Sequence, residues 1–314
     1  MMYKSLVFLS LFISPVICIN GSQLKMSFDA LSSSVGGASV VGLNGAISSQ
    51  VNPASVSSHK SVSLFTSNSI LSLDRYMNSV FISKSISKNA SVSLYYTQFG
   101  TGDIQTYDYM NNPQGEVSTQ QGSGALVFGQ RVLSSLSVGV AVKGYRNKII
   151  EGQQGTGAGF DVGMLYKTSK YSFGIALYDI SADYSWRIDA GSDMVSSYTE
   201  DIPSSISIGV SYLVDNVNYL IQYDFSSRLN YGINDCIRLG LIWDIRENFD
   251  IRCGVYSINK FLYNENILNV VNVVPSLGTE INAYILNKNL VFATSVSYDF
   301  RVGDILSTMT IGIN

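Results

Sequence analysis

Residues 136–143 read LSVGVAVK, an alternation in which Val138, Val140 and Val142 are separated by small or polar residues. The same period of two recurs in GFDVGMLY (159–166) and in SISIGVSY (205–212). Successive side chains of a strand point to opposite faces of a sheet. Each segment therefore predicts a β-strand with one apolar face and one small or polar face.

The low content of charged residues indicates the environment of these strands. Of the 314 residues only 14% are charged and 46% are hydrophobic, with many Gly, Ser and Tyr. Beyond the N-terminus no run of about 18 apolar residues is present, which excludes membrane-spanning helices. Low charge combined with alternating strands is typical of a transmembrane β-barrel, in which the apolar face contacts lipid. We therefore predict an all-β, antiparallel transmembrane barrel.

The polar residues give no sign of catalysis. His59 is the only histidine, and the chain has three cysteines and a net charge of −3. These residues are too few for a histidine-based triad or a His/Cys metal site. The net negative charge gives no general attraction to nucleic acid. We expect no enzyme activity, no metal, no cofactor and no nucleic-acid partner.

The alternation continues from about residue 60 to the C-terminus and divides into strands. They are predicted near 60–67, 77–87, 90–98, 122–131, 134–147, 157–167, 170–180, 204–214, 217–226, 235–245, 248–257, 276–286, 289–300 and 304–313. Fourteen is an even number, as a closed bacterial barrel requires.

The predicted links alternate in length. Links after even strands have about two residues, whereas most links after odd strands are long, including 99–121 and 181–203. Outer-membrane barrels have short periplasmic turns and longer extracellular loops. This asymmetry predicts a bacterial outer-membrane location with a periplasmic N-terminus.

The first 59 residues are expected to form two separate units. A positive charge at Lys4 followed by a short apolar stretch that Pro15 ends predicts a secretory signal peptide, residues 1–21, with cleavage after residue 18 or 21. Residues 22–59 do not alternate and are rich in small residues. They predict a compact N-terminal hatch, or plug, inside the barrel of residues 60–314; a flexible periplasmic arm is the alternative.

Outward-facing aromatic residues collect near the short turns, where an interfacial girdle belongs. They are Tyr166, Tyr171, Tyr212, Tyr219, Trp243 and Phe249. We expect them to contact the outer-membrane lipid at one interface.

Charged residues fall on the inward face of neighbouring strands. Lys143 and Asp161 belong to one hairpin centred near residue 152, which places them almost opposite each other. Arg238 and Arg252 also face inward, with Asp244, Asp250, Glu280 and Asp299 as candidate partners. These charges either compensate one another in a polar lumen or hold the plug and control the lumen.

Motifs in order along the chain carry a family resemblance. Gly36-Gly37-Ala38 followed by Asn52-Pro53-Ala54 resembles the N-terminal hatch of FadL-type outer-membrane proteins, and specifically of their PorV/PorQ branch. Similar segments follow at 99–104, 136–143, 159–166, 202–210 and 238–256. The resemblance covers about residues 30–300, and Asn52-Pro53-Ala54 is the best candidate for a functional hatch element.

This resemblance implies a fourteen-stranded barrel with a hatch and two alternative functions. PorV- and PorQ-like members are non-enzymatic accessory proteins of type IX secretion, which dock secretion-system proteins or exported cargo through long extracellular loops. FadL-like members instead pass hydrophobic ligands through the hatch and out through the wall. Such a transporter is expected to have an apolar pocket beneath the hatch and an opening at an inward kink of a strand.

Overall fold

A computed structural model describes residues 27–44, 46–58, 62–150, 152–189, 195–228, 232–263, 266–268, 272–285, 288–300 and 303–314. The predicted signal peptide 1–21 and His59 lie outside these residues.

The described chain is dominated by antiparallel strands. In chain order they are β1 Ser63–Leu71, β2 Arg75–Ser85, β3 Ala90–Thr101, β4 Ile104–Tyr107, β5 Pro113–Val117, β6 Gln120–Arg131, β7 Leu136–Ile150, β8 Gln153–Lys167, β9 Tyr171–Asp189, β10 Val195–Asp201, β11 Ser205–Val214, β12 Val217–Arg228, β13 Gly232–Arg246, β14 Phe249–Tyr263, β15 Asn266–Leu268, β16 Asn272–Ile285, β17 Lys288–Asp299 and β18 Asp304–Ile313.

Fourteen of these strands close into a barrel. Each pairs with its neighbour in chain order, and β18 pairs with β1 from Leu64 opposite Ile313 to Ile70 opposite Ser307. Among the described residues, β10 pairs with β9 alone and β15 with β14 alone, and β4 with β5 forms a separate two-stranded ribbon between β3 and β6. The prediction of a closed fourteen-stranded antiparallel barrel is therefore confirmed.

The two ends of the barrel differ. We call the end with the β2–β3, β8–β9 and β11–β12 turns the turn end, and the end that carries β4, β5 and β10 the loop end. The predicted links at the loop end are too long in several places. The β1–β2 link is only Ser72–Asp74, because Leu73 and Asp74 both adopt positive φ and make a tight turn. The predicted loop 181–203 is largely the extended hairpin of β9 and β10.

The two faces of the wall have opposite chemistry. Large apolar side chains are exposed on the outside, for example Leu94, Leu126 and Leu277, which are 56%, 59% and 59% accessible. Small hydroxyl side chains are buried on the inside, including Ser93 and Thr310. An apolar outer surface with a polar interior is the arrangement of a transmembrane barrel, whose outer face contacts lipid.

The N-terminal segment lies inside this wall. Residues 27–58, which we call the plug, contain the helix α1 (Ala30–Ser34) and two 3-10 turns, Ile47–Ser49 and Pro53–Ser58. Most of the described plug residues are buried. Among the described residues, none of the helices has the length and apolar character needed to cross a bilayer.

The lipid-facing role of the outer surface can be tested at Ile221. This side chain is 60% exposed on the outer face of β12. We expect Ile221→Arg to lower the free energy of unfolding in phospholipid vesicles by about 2–4 kcal/mol, the cost of a charge near the bilayer midplane. Tyr109→Arg, at a 92% exposed position between β4 and β5, is the control and should change it little. Equal effects of the two substitutions would contradict a lipid-facing β12.

Candidate functional site

The plug is seated on the wall by one buried asparagine. Asn52 Nδ2 donates to the carbonyl oxygens of Val40 (2.8 Å) and Met164 (3.1 Å), while Asn52 Oδ1 accepts from Ala54 N (3.0 Å). Its side chain is fully buried. One amide therefore joins two parts of the plug to strand β8, which an apolar residue of similar size could not do.

A stripe of wall glycines makes room for the plug beside Asn52. Gly129, Gly139 and Gly163 lie directly opposite one another on β6, β7 and β8. A Cβ at Gly139 would lie 2.3 Å from the carbonyl carbon of Pro53, and one at Gly163 would lie 2.1 Å from Asn52 Oδ1. The plug backbone thus contacts the wall backbone at a distance that no other residue type permits.

The Gly36-Gly37 turn makes a second seat on the opposite wall. Both residues have positive φ, 63° and 74°, which favours glycine. Gly36 N donates to Ser276 Oγ at 3.0 Å, and Arg238 Nη1 donates to the carbonyl of Gly36 at 3.2 Å. Arg238 is itself paired with Asp224. The sequence analysis missed Asp224 as its partner, although Asp224 falls on the inward face of the adjacent strand.

The structure brings Lys143 and Asp161 together and adds a third charged residue. Lys143 Nζ lies 3.1 Å from Asp161 Oδ1 and 2.5 Å from Asp179 Oδ1, and Tyr145 also donates to Asp179 Oδ1 at 2.6 Å. The three ionisable groups are at most 7% exposed. We call Lys143, Tyr145, Asp161 and Asp179 the charged cluster.

Asp179 reaches the lumen because β9 is kinked. Between the pairs Leu177–Val162 and Asp183–Ala158, β9 contains two more residues than β8. Asp179 and Ser181 have positive φ, 57° and 51°, which is uncommon outside glycine. Two consecutive bulges therefore turn Asp179 inward.

The kink also interrupts the wall on the other side of β9. Its pairing with β11 ends at Tyr178, and its pairing with β10 begins at Asp183. Strand β3, in contrast, pairs with both β2 and β6 in unbroken register. Ile202 N already donates to the carbonyl of Ala182 at 2.9 Å, so the inward kink and the interrupted ladder coincide at residues 179–181.

The remaining predicted lumen charges lie towards the turn end. Arg252 Nη2 donates to Asp250 Oδ2 at 2.9 Å and also pairs with Glu280. Arg252 and Asp250 border a recess of about 270 Å³ between the wall and plug residues 41–43. Its lining mixes apolar side chains such as Leu43 and Ile242 with Lys167 and Asp244, so it differs from the apolar pocket expected of a transporter.

The predicted girdle residues lie on the outer face at the turn end. The Tyr171 and Tyr212 rings stack with centroids 4.7 Å apart, and Tyr219 is directly opposite Tyr212. Tyr166 and Trp243 are 45% and 49% exposed, and Phe249 is half-buried at the start of β14. Amphipathic aromatic side chains at such a level suit a membrane interface.

Comparison with known proteins gives the fold a wider context. No family model and no curated protein matches this chain by sequence. The structure is similar to the P. putida toluene transporter TodX (TM-score 0.64, 11% identity, 92% of this chain and 97% of that one). It is also similar to a Pseudomonas aeruginosa FadL homologue (0.62, 11%, 91% and 97%) and to the monoaromatic hydrocarbon channel CymD (0.60, 12%, 91% and 96%). At these identities the likeness shows the fold, which is that of FadL-like outer-membrane channels.

Proposed function

We propose that this protein is an outer-membrane channel for small hydrophobic molecules. The plug closes the lumen to water and ions, and the kink of β9 is the exit through which an apolar molecule leaves sideways into the lipid. The turn end faces the periplasm, and the loop end faces the medium. The observation that carries the proposal is the interrupted ladder at 179–181, next to the seat of the plug.

Direct hydrogen bonds couple the plug to the kinked strand. Tyr178, the last residue before the kink, donates to the carbonyl of Val51. Asn52 on the plug contacts Met164 on β8, and Asp161 on the same strand accepts from the backbone N–H of Asp179 at 2.9 Å. A displacement of the plug therefore removes contacts with Tyr178 and with β8, the strand that holds the backbone of Asp179.

The solved structures of similar fold support transport of hydrophobic molecules. TodX is a toluene transporter and CymD a monoaromatic hydrocarbon channel. Lateral exit suits such molecules because they are more stable in the hydrocarbon core than in water. The lumen charges then hold the wall and plug together rather than contact the ligand.

The kink can be removed without disturbing the alternation. Deletion of Asp179 and Ile180 takes out two residues, so Tyr178 and Ala182 keep their inward face while β9 regains the length of β8. Liposomes that contain the wild-type chain should take up toluene faster than protein-free liposomes, and the deletion should return uptake to the protein-free rate. Asp179→Asn, which keeps the kink and an acceptor oxygen for Lys143, is the matched control. Uptake by the deletion variant at the wild-type rate would refute exit at β9.

Exposed residues at the loop end favour a second candidate function, docking in type IX secretion. Tyr109 and Met110, between β4 and β5, are 92% and 65% exposed, and Tyr198 on β10 is 50% exposed. Exposed aromatic residues are enriched at protein interfaces. Partners would be secretion-system proteins or exported cargo. Loss of surface-protein export after gene deletion, with toluene uptake unchanged, would favour this function over the channel.

A further inference from the structure

One level of the wall near the loop end combines aromatic side chains with amides. Its residues lie directly opposite one another on successive strands from β2 to β10. They are Met77, Phe99, Gln121, Asn147, Gly155, Trp186 and Tyr198. We call this set the amide–aromatic row. Its two amides are adjacent and lie between aromatic residues on both sides.

The amides of this row have unused hydrogen-bonding groups. Asn147 is fully buried, and among the described residues neither its Oδ1 nor its Nδ2 has a hydrogen-bond partner; the buried Oε1 of Gln121 has none there either. An unsatisfied buried polar atom costs about 1–3 kcal/mol, so such atoms are rare unless a ligand or water contacts them. Together the two residues offer two acceptors and one donor group at neighbouring positions.

Aromatic rings surround these amides. The Trp186 ring lies over Gly155, where an added Cβ would be 3.0 Å from the ring, and Tyr184 lies 5.6 Å from Trp186 between ring centroids. Gly155 has no side chain, so nothing on β8 separates Asn147 from the Trp186 ring within the row. Aromatic rings pack favourably in tilted or offset geometry against another ring.

The plug occupies the space beside Gln121, one of the two amides. A cavity of about 10 Å³ borders Phe28, Phe99, Gln121 and Tyr184, and such a volume holds roughly one water molecule. Phe28 belongs to the plug and packs against Met77 and Phe99. A ligand ring that enters from the loop end would therefore take the place of Phe28.

We propose that the amide–aromatic row binds aromatic molecules that carry a hydroxyl group. The hydroxyl proton would be donated to Asn147 Oδ1 or Gln121 Oε1, the hydroxyl oxygen would accept from Asn147 Nδ2, and the ring would pack against Trp186 and Tyr184. A pure hydrocarbon would leave the amides unpaired. This inference rests on the proposed channel function and specifies oxygenated aromatic molecules as the preferred substrates.

Binding can be followed through Trp186 itself. The chain has two tryptophans, and Trp243→Phe leaves Trp186 as the only one without removing the girdle aromatic. In detergent-solubilised full chain carrying this substitution, benzyl alcohol should change Trp186 emission saturably, as expected of a ring that packs against Trp186. A change in emission that does not saturate would overturn the proposal.

Substitution of the amide separates the hydroxyl contact from the ring contact. Asn147→Leu should weaken benzyl alcohol binding about tenfold and leave toluene binding unchanged or stronger. Each ligand is compared between variants, which cancels its partition into detergent. Asn218→Leu, at the turn end, is the matched control and should change neither affinity. A parallel loss for both ligands after Asn147→Leu would overturn the proposal; if that variant does not fold, Gln121→Met applies the same test.

The outcomes distinguish this inference from the channel function. Wild-type toluene uptake into liposomes without a preference for benzyl alcohol would overturn the site and keep the channel. Preferential binding of benzyl alcohol without uptake of either ligand would keep the site and overturn the channel.

Discussion

Lys143→Met should lower the free energy of unfolding of the barrel by about 3–5 kcal/mol, the usual cost of leaving a buried charge without its partner. In the wild-type chain the Lys143 ammonium lies between the carboxylates of Asp161 and Asp179. Without it, two buried carboxylates face each other across the kink, and Asp161 Oδ2 already has no hydrogen-bond partner. Denaturant unfolding in phospholipid vesicles measures the loss.

Two further variants decide the cause of this loss. Lys148→Met makes the same change on the same strand at an exposed position, where ion pairs contribute little; its effect should be within about 0.5 kcal/mol. Adding Asp161→Asn and Asp179→Asn to Lys143→Met removes the uncompensated charge and should restore most of the stability. If Lys143→Met and Lys148→Met have equal effects, the charged cluster does not hold the kink.

The strands were predictable because alternation survives on both faces of the wall. Contact with lipid requires apolar residues on the outer face, and contact with the plug requires small residues such as Gly and Ser on the inner face. The sequences of β7, β8 and β11 therefore alternate between these two residue types. The position of Lys143 beside Asp161 follows from the same alternation, although Lys143 lies directly opposite Gly159, two residues from the predicted partner.

The residues that the sequence analysis missed depend on departures from alternation. Asp179 faces inward only because two bulges reset the phase of β9, and neither Gly nor Asn marks the positive φ values there. Gln121 and Asn147 become significant only when the register places them side by side between rings. Asp224, in contrast, could have been found by comparing inward positions on β12 and β13.

The plug is the part of the molecule whose displacement should have the largest effect on permeability, and Gly139→Leu should displace it directly. A side chain at this position collides with the backbone of Pro53 and Ala54, 2.3 and 2.4 Å from the added Cβ. Overpacking of this kind costs about 1–3 kcal/mol. If this cost destabilises only the state in which the plug is seated, the fraction of molecules with an unseated plug rises roughly 5- to 150-fold.

A fourteen-stranded barrel is too wide for its own wall side chains to fill, so an unseated plug leaves an aqueous path. Planar bilayers with Gly139→Leu should therefore show discrete ion-conducting openings that the wild-type chain shows rarely. Gly144→Leu is the matched control, because it adds the same side chain to the same strand where no atom lies within 4 Å of the added Cβ. It should conduct like the wild type. Openings of equal frequency in both variants, or in neither, would show that the Gly139 contact does not keep the lumen closed.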